Sequence, residues 1–366
     1  MNINDFKYEE KITLTLRSLY REYGYTQFKM SKFEEYDFYS RHKEFLVSDR
    51  VLTFTDTGGK LMALKPDVTL SIIKNSKGID DTPVKRFCYN ENVYRVSDKT
   101  HNFSEIMQSG LECIGNITAL NLLEVTWLAA LSLKCISDES VLVLSHLGVL
   151  SELLRGVSGD AQEEIIAQID RKNASAVRSL AEKLGLAEEK TALLCEISSP
   201  LFSAVDVDEA ISKVRAMTED GVILTSLAEL ETVANNLKKS GVKVAVDLSL
   251  VSDMSYYNGI IMRGYVNGIP TSVLSGGQYD KLMEKMGSVS RAVGFAVYLD
   301  SLELIEKGSS EYDADVLLLY DSCDDPAAVL ERINSLTAEG KRVIAQVSVP
   351  EKLSFKEIQK FSPTVK

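Results

Sequence analysis

What this sequence lacks narrows the field first. Its 366 residues include only five cysteines, Cys88, Cys113, Cys135, Cys195 and Cys323, scattered with no C-x-x-C pair. That excludes a disulfide framework and reads as reduced, mostly buried thiols, the pattern of a cytoplasmic protein. Histidine is scarcer still: His42, His101 and His146 are the only three, and no H-E-x-x-H or Cys/His cluster occurs. Neither a structural nor a catalytic metal is therefore expected, and no motif points to another cofactor. Long apolar runs are missing too. VLVL at 141–144 is typical of the longest, far short of the ~20 residues of a membrane span. The opening MNINDFKYEEK has no apolar stretch of the kind that marks a secretory signal. Positive charge is in deficit, with 41 Lys and Arg against 53 Asp and Glu and a net charge of −12. A protein that clamps nucleic acid must neutralise many phosphates, and no basic stripe with interleaved aromatics stands out. The balance argues against a nucleic-acid partner and is compatible with a protein partner.

What is present has the size of one large domain with a smaller appendage. Residues 5–24 place Phe6, Ile12, Leu14, Leu16, Leu19, Tyr20 and Tyr23 at helical spacing, and Gly24 stands where that helix would end. VLTFTD and KLMALK flank Thr57-Gly58-Gly59 and read as a hairpin. Pro66 introduces a helix over Asp67 to Lys74. Two strands follow near Arg86 to Tyr94 and Ile106 to Ile114, then an apolar helix from Leu120 to Leu133 around Trp127, the single tryptophan. From 147 to about 238 the chain is rich in Leu, Ala, Glu and Lys at helical spacing, which reads as a helical insertion. Strand patterns return at 242–250, 257–266 and 271–277, and 291–304 reads as a strand entering a helix. From Asp313 the order strand, helix, strand predicts a small α/β segment. The expected class is α+β, with a domain over 1–310 and a C-terminal segment over 311–366.

Several segments carry candidate binding chemistry. Gln108 and Glu112 sit four apart on one predicted strand, so both face the same side. A solvated strand face is the other reading of that spacing. Arg95 offers a guanidinium fork for two oxygens at once, or an ordinary surface ion pair. Asp67 stands where it could cap the following helix. Gly276 and Gly277 permit a close backbone approach or a tight bend.

These segments together resemble the class II aminoacyl-tRNA synthetases, in the version carried by histidyl-tRNA synthetase. KRFCYNENVYRVSDKTHNFSEIMQSGLECIG (85–115) resembles motif 2, LMALKPDVTL (61–70) the LRPE-x-T histidine segment, and SGGQYDKLM (275–283) the GGRYD segment. The resemblance covers roughly residues 5–305. It implies an antiparallel sheet flanked by helices, usually dimeric. It also implies a histidine site built from Asp67, Thr69, Arg95, Gln108, Glu112, Tyr256, Tyr257, Gly276, Gly277 and Tyr279. In that scheme Asp67 and Thr69 hold the α-ammonium, Arg95 the carboxylate, and Glu112 with one of the two adjacent tyrosines the imidazole. Alternation along a strand would turn Tyr256 and Tyr257 to opposite sides, leaving one of them in the core.

The same comparison shows losses. Ser97, Ser104, Ser252 and Ser301 stand where the synthetases keep charged residues that handle ATP, and Ser31 stands where motif 1 has proline. Losing one transition-state donor costs on the order of 10²- to 10³-fold in rate, so losing several implies that adenylation is gone. What remains is similar to the ATP phosphoribosyltransferase regulatory subunits, paralogues of the synthetase that are not themselves enzymes. That resemblance implies a hetero-octamer with a short-form catalytic subunit, a homodimer through the synthetase-like domain, and L-histidine as a feedback ligand. A divergent histidyl-tRNA synthetase and a stand-alone histidine-binding module are the alternatives.

Overall fold

The structure is a computed structural model and describes residues 7–46, 51–75, 84–96, 102–202, 205–251, 254, 256–305 and 312–362. Phe6, Ser97, Ser252 and the expected 310/311 boundary lie outside those residues. The chain divides into two compact units, one of residues 12–304 and one of 305–366 with the first eleven.

The larger unit is built on an eight-stranded sheet. The chain first forms α1 (Tyr8–Glu22), β1 (Thr26–Gln27), β2 (Phe33–Glu35), α2 (Tyr36–Ser40), β3 (Thr53–Thr55), β4 (Leu61–Leu64) and α3 (Val68–Asn75). The long hairpin β5 (Lys85–Val96) and β6 (Phe103–Gly115) follows, then α4 (Ala119–Ile136) and β7 (Ser140–His146). Six helices come next: α5 (Leu147–Leu153), α6 (Gly159–Asp170), α7 (Ala174–Lys183), α8 (Glu188–Ile197), α9 (Val207–Arg215) and α10 (Gly221–Leu237). The unit closes with β8 (Lys243–Val246), β9 (Ile260–Val266), β10 (Leu274–Gln278), α11 (Asp280–Lys285) and β11 (Arg291–Tyr298).

The sheet order is β1-β5-β6-β11-β10-β9-β7-β8. Its interior pairings are antiparallel, as expected, whereas both edges are parallel. The helical insertion is the crossover that makes the β7–β8 edge parallel. β7 was not anticipated. It is buried on both faces, and a short apolar run of that kind shows no alternation to distinguish strand from helix.

The back of this sheet is covered by α1 and α4. On α1 the buried stripe is Ile12, Leu16 and Tyr20, one per turn, while Leu14, and Tyr23 just past the helix, face out. Gly24, at φ +80°, ends the helix in the left-handed region that a glycine adopts without strain. By length and composition α4 is apolar enough to cross a membrane; in this fold Leu122, Val125, Leu128, Ala129, Leu133 and Ile136 are buried. Its packing on β9 is close, because a side chain on Gly264 would meet Leu133 Cδ2 at 2.5 Å.

The hairpin β3–β4 forms as expected, with Gly59 at φ +82° and Asp56 Oδ1 accepting from Gly58 N and Lys60 N, both at 2.8 Å. β2 joins it to make a small antiparallel sheet, order β2-β4-β3. After β11 the expected helix is only a 3₁₀ turn, Asp300–Leu304.

The smaller unit has β12 (Ala314–Leu319), α12 (Pro326–Ala338), β13 (Val343–Gln346) and β14 (Phe355–Lys360), with order β13-β12-β14, all parallel. The strand–helix–strand pattern is as expected. β14 was not, because its FKEIQK sequence is half charged, largely exposed and lacks an apolar stripe.

Candidate functional site

The site begins with the period of a strand. On β6, Gln108, Gly110 and Glu112 point to the face opposite α4, while Leu111 and Cys113 point back into the core. Register carries that face across the sheet. Glu112 pairs with Gly294, which pairs with Gly277. One row away, Tyr89, Gly110, Ala296 and Ser275 pair in series. In the next row Glu91, Gln108 and Tyr298 do the same. The centre of this face is therefore glycine, alanine and serine, and longer side chains surround it. A floor of small residues on a sheet leaves a cleft.

Glu112 is the centre of the cleft chemistry. It is 2% exposed, and both carboxylate oxygens are engaged. Thr69 Oγ1 donates to Oε1 at 2.7 Å and the Tyr279 hydroxyl donates to Oε2 at 2.5 Å. Desolvation outweighs these two donors and pushes the carboxyl from 4.5 up to about 8. Asp67 also lines the cleft, and burial raises its pKa as well. Its Oδ1 accepts from Leu70 N at 2.8 Å, so it caps the first turn of α3. Arg95 reaches the same end, where its Nε donates to Pro66 O at 3.3 Å. Two carboxyls held in poor solvation favour a cationic guest, and the neighbouring guanidinium suits an anionic group on that guest.

The walls are aromatic. Tyr256 stacks at a tilt on Tyr257, with centroids 4.7 Å apart, and stands 5.8 Å from Tyr279. Phe45 meets Tyr256 edge-on at 6.3 Å. The expectation that one of Tyr256 and Tyr257 faces the core is corrected here, since both line the cleft. Strand alternation does not apply, because the pair precedes β9 and lies in irregular chain.

Eight of the ten expected site residues line this one cleft: Asp67, Thr69, Arg95, Gln108, Glu112, Tyr256, Tyr257 and Tyr279. Gly276 and Gly277 lie outside its lining. Both lie inside β10 rather than at a bend. A side chain on Gly276 would meet Gly294 O at 2.3 Å, and one on Gly277 would meet Ile260 O at 2.6 Å and Tyr257 Cδ1 at 3.0 Å. The space above them holds neighbouring strands and a tyrosine ring.

Sequence reasoning missed Tyr89, Tyr298, Ser275 and Gly294, all of which line the cleft. A signal existed for Tyr89: it lies on the predicted strand with alternating partners, and it pairs with Gly110, where a ring can lie over a missing side chain. Of the four serines at lost positions, two are described. Ser104 lies directly across from Arg95 in register, and Ser301 is half-buried in the 3₁₀ turn after β11.

Comparisons with known proteins agree with this architecture. A family model described as histidyl-tRNA synthetase matches residues 1–302. The ATP phosphoribosyltransferase regulatory subunit of Clostridium kluyveri is 30% identical over 347 residues, covering 91% of this chain and 87% of that protein. The regulatory subunit of Caldanaerobacter subterraneus is 28% identical over 352 residues, covering 93% and 90%. Among solved structures, an ATP phosphoribosyltransferase regulatory subunit/histidyl-tRNA synthetase from Bacillus halodurans superposes with a TM-score of 0.79 at 24% identity, covering 96% and 93%. A chain of the ATP phosphoribosyl transferase complex from Thermotoga maritima gives 0.64 at 19%, covering 80% and 98%. At those identities the two structures establish a shared fold, the class II synthetase-like mixed sheet flanked by helices.

Proposed function

We infer that this chain, which belongs to the histidyl-tRNA synthetase family and within it to the ATP phosphoribosyltransferase regulatory subunits, binds L-histidine in its cleft and relays feedback inhibition to a catalytic partner. The chain is the non-catalytic member of that assembly, in histidine biosynthesis. The observation that carries the ligand reading is Glu112, a buried carboxylate held from two sides by Thr69 and Tyr279 on the cleft face of the sheet.

The chemistry of histidine matches the lining group by group. Its imidazole presents an N–H to Glu112 in either protonation state. Its α-ammonium suits Asp67 and Thr69, and its carboxylate suits the Arg95 fork. The tyrosines supply flat apolar walls with hydroxyl edges. No adenylation is expected of the chain, because Ser104 and Ser301 are uncharged where the resemblance puts charged ATP-handling residues, as are Ser97 and Ser252 in sequence.

The partner in this reading is a short-form catalytic subunit, in a cytoplasmic hetero-octamer. The name of the Thermotoga maritima complex supports such a partner. A homodimer through the synthetase-like unit accompanies it. Supporting that contact, the outer face of the β2-β4-β3 sheet carries Phe33 and Phe54 edge-to-face at 5.8 Å, 48% and 40% exposed. Ligand control of this kind requires histidine to prefer one of two assembly states, with a coupling of about 1–3 kcal/mol.

The test is phosphoribosyl-ATP formation by the short catalytic subunit of the same organism, with this chain absent, present, and present with histidine. Activity that appears with the chain and falls with histidine is the expected outcome. No change on adding the chain would remove the partner and leave a stand-alone histidine-binding module. Histidine-dependent ATP–pyrophosphate exchange by the chain alone would restore the synthetase reading.

A further inference from the structure

Three glycines on adjacent strands share the cleft face of the sheet: Gly110 on β6, Gly294 on β11 and Gly277 on β10. In each case the space that a side chain would need holds a cleft-lining group. A Cβ on Gly294 would stand 1.8 Å from Glu112 Oε2 and 2.7 Å from Glu112 Cδ. One on Gly110 would stand 2.3 Å from Phe295 O and 2.5 Å from the Tyr89 hydroxyl, and one on Gly277 would stand 2.6 Å from Ile260 O and 3.0 Å from Tyr257 Cδ1. The most severe of these overlaps is the one under the carboxylate.

We propose that Gly294 is a positioning residue for ligand recognition: its missing side chain is the seat in which the Glu112 carboxylate lies. The choice of ligand rests on the histidine reading above; the seat itself does not. Glu112 projects from β6 over the backbone of its register partner. Lying flat there, it reaches Thr69 from α3 and Tyr279 from the β10–α11 junction at the same time. A methyl group at 294 forces Oε2 off that position. The carboxylate then cannot keep both donors at 2.7 and 2.5 Å, and the face it offers to a ligand turns away. Gly110 and Gly277 also leave room for the Tyr89 and Tyr257 rings, but there the nearest atoms are backbone oxygens of the neighbouring strands, so Gly294 is the glycine whose space a carboxylate fills.

One competing demand for glycine is on the backbone, since a Cβ on Gly294 would also stand 2.5 Å from Leu111 O. A double-mutant cycle separates the two. Wild type, Gly294→Ala, Glu112→Ala and the double variant are compared by calorimetric titration with histidine and by thermal unfolding. If Gly294 acts through Glu112, Gly294→Ala weakens histidine binding by about 10- to 100-fold, the value of a disturbed charged hydrogen bond. In the Glu112→Ala background the same substitution then changes affinity by less than about threefold, within ordinary additivity error, and lowers the unfolding temperature less than in wild type. Equal costs in both backgrounds overturn the proposal and assign the glycine to the Leu111 carbonyl. If Gly294→Ala alone fails to fold, folding of the double variant supports the seat and its failure overturns it. A wild-type chain that binds no histidine defeats the ligand reading, and the unfolding half of the cycle still decides the glycine.

Discussion

Leu111 and Glu112 are neighbours on β6, yet they face opposite sides of one sheet and obey opposite rules. Leu111 lies on the α1/α4 side, where its register partner Phe295 meets Tyr20 edge-on at 5.9 Å. That side is aliphatic and aromatic, and Tyr20 is bonded there to Ser132 at 3.0 Å. Glu112 lies on the cleft side, among glycines, tyrosines and a second carboxyl. Burial there is unfavourable to the charged form, and the pKa of about 8 records it. The difference teaches how the fold carries a polar cleft. Apolar burial on one face, at about 25 cal/mol per Å², holds the strands in place while the other face keeps ionisable groups in a poorly solvated recess.

The comparison can be broken from either side. The largest effect is expected from Leu111→Ala, which opens a cavity in a fully buried position and should cost about 2–5 kcal/mol of stability. Chemical denaturation measures that loss, and the histidine affinity of the folded fraction should stay within about threefold of wild type. A large affinity loss with unchanged stability would mean that the two faces are not separable. Next comes Glu112→Ala, with the reverse signature: histidine affinity lower by roughly 10- to 150-fold, the worth of a charged hydrogen bond, and no loss of unfolding temperature. Unchanged affinity would place the ligand elsewhere.

A smaller effect sharpens the contrast through pH. The folded-state pKa of Glu112 is raised, so the folded protein binds its proton more tightly than the unfolded chain does. Stability from this group is full below about 4.5, the ordinary carboxyl value, and is lost as pH rises towards about 8. Asp67 shifts in the same direction. Denaturation of the ligand-free protein at pH 5 and pH 8 should show lower stability at pH 8, and Glu112→Gln should flatten that slope. An identical slope in the variant would show that Glu112 does not titrate in this window.

Much of the cleft is legible in the sequence. The period of β6 put Gln108 and Glu112 on one face, and Pro66 with Asp67 marked the start of α3, because strand alternation and helix capping act over a few residues. Gly24 was legible for the same reason, as a local left-handed stop. Legibility failed where the neighbours were distant. β7 has no alternation because both its faces are buried, and β14 has no apolar stripe because it is largely exposed. Tyr256 and Tyr257 were read through a strand rule, yet they sit in irregular chain ahead of β9. Gly276 and Gly277 looked like a bend at a ligand, and the space above them turned out to hold other strands and a ring.

The sequence by itself therefore determined the hairpin that carries the cleft and most of the residue types that line it, because strand alternation and helix capping are local; the histidine reading of those residues came from the family resemblance. Only the tertiary structure decided that Thr69 and Tyr279, 43 and 167 residues away from Glu112 in the chain, both reach its carboxylate. It alone placed a glycine beneath that carboxylate, because cross-strand register brings together residues that no pattern along the chain connects.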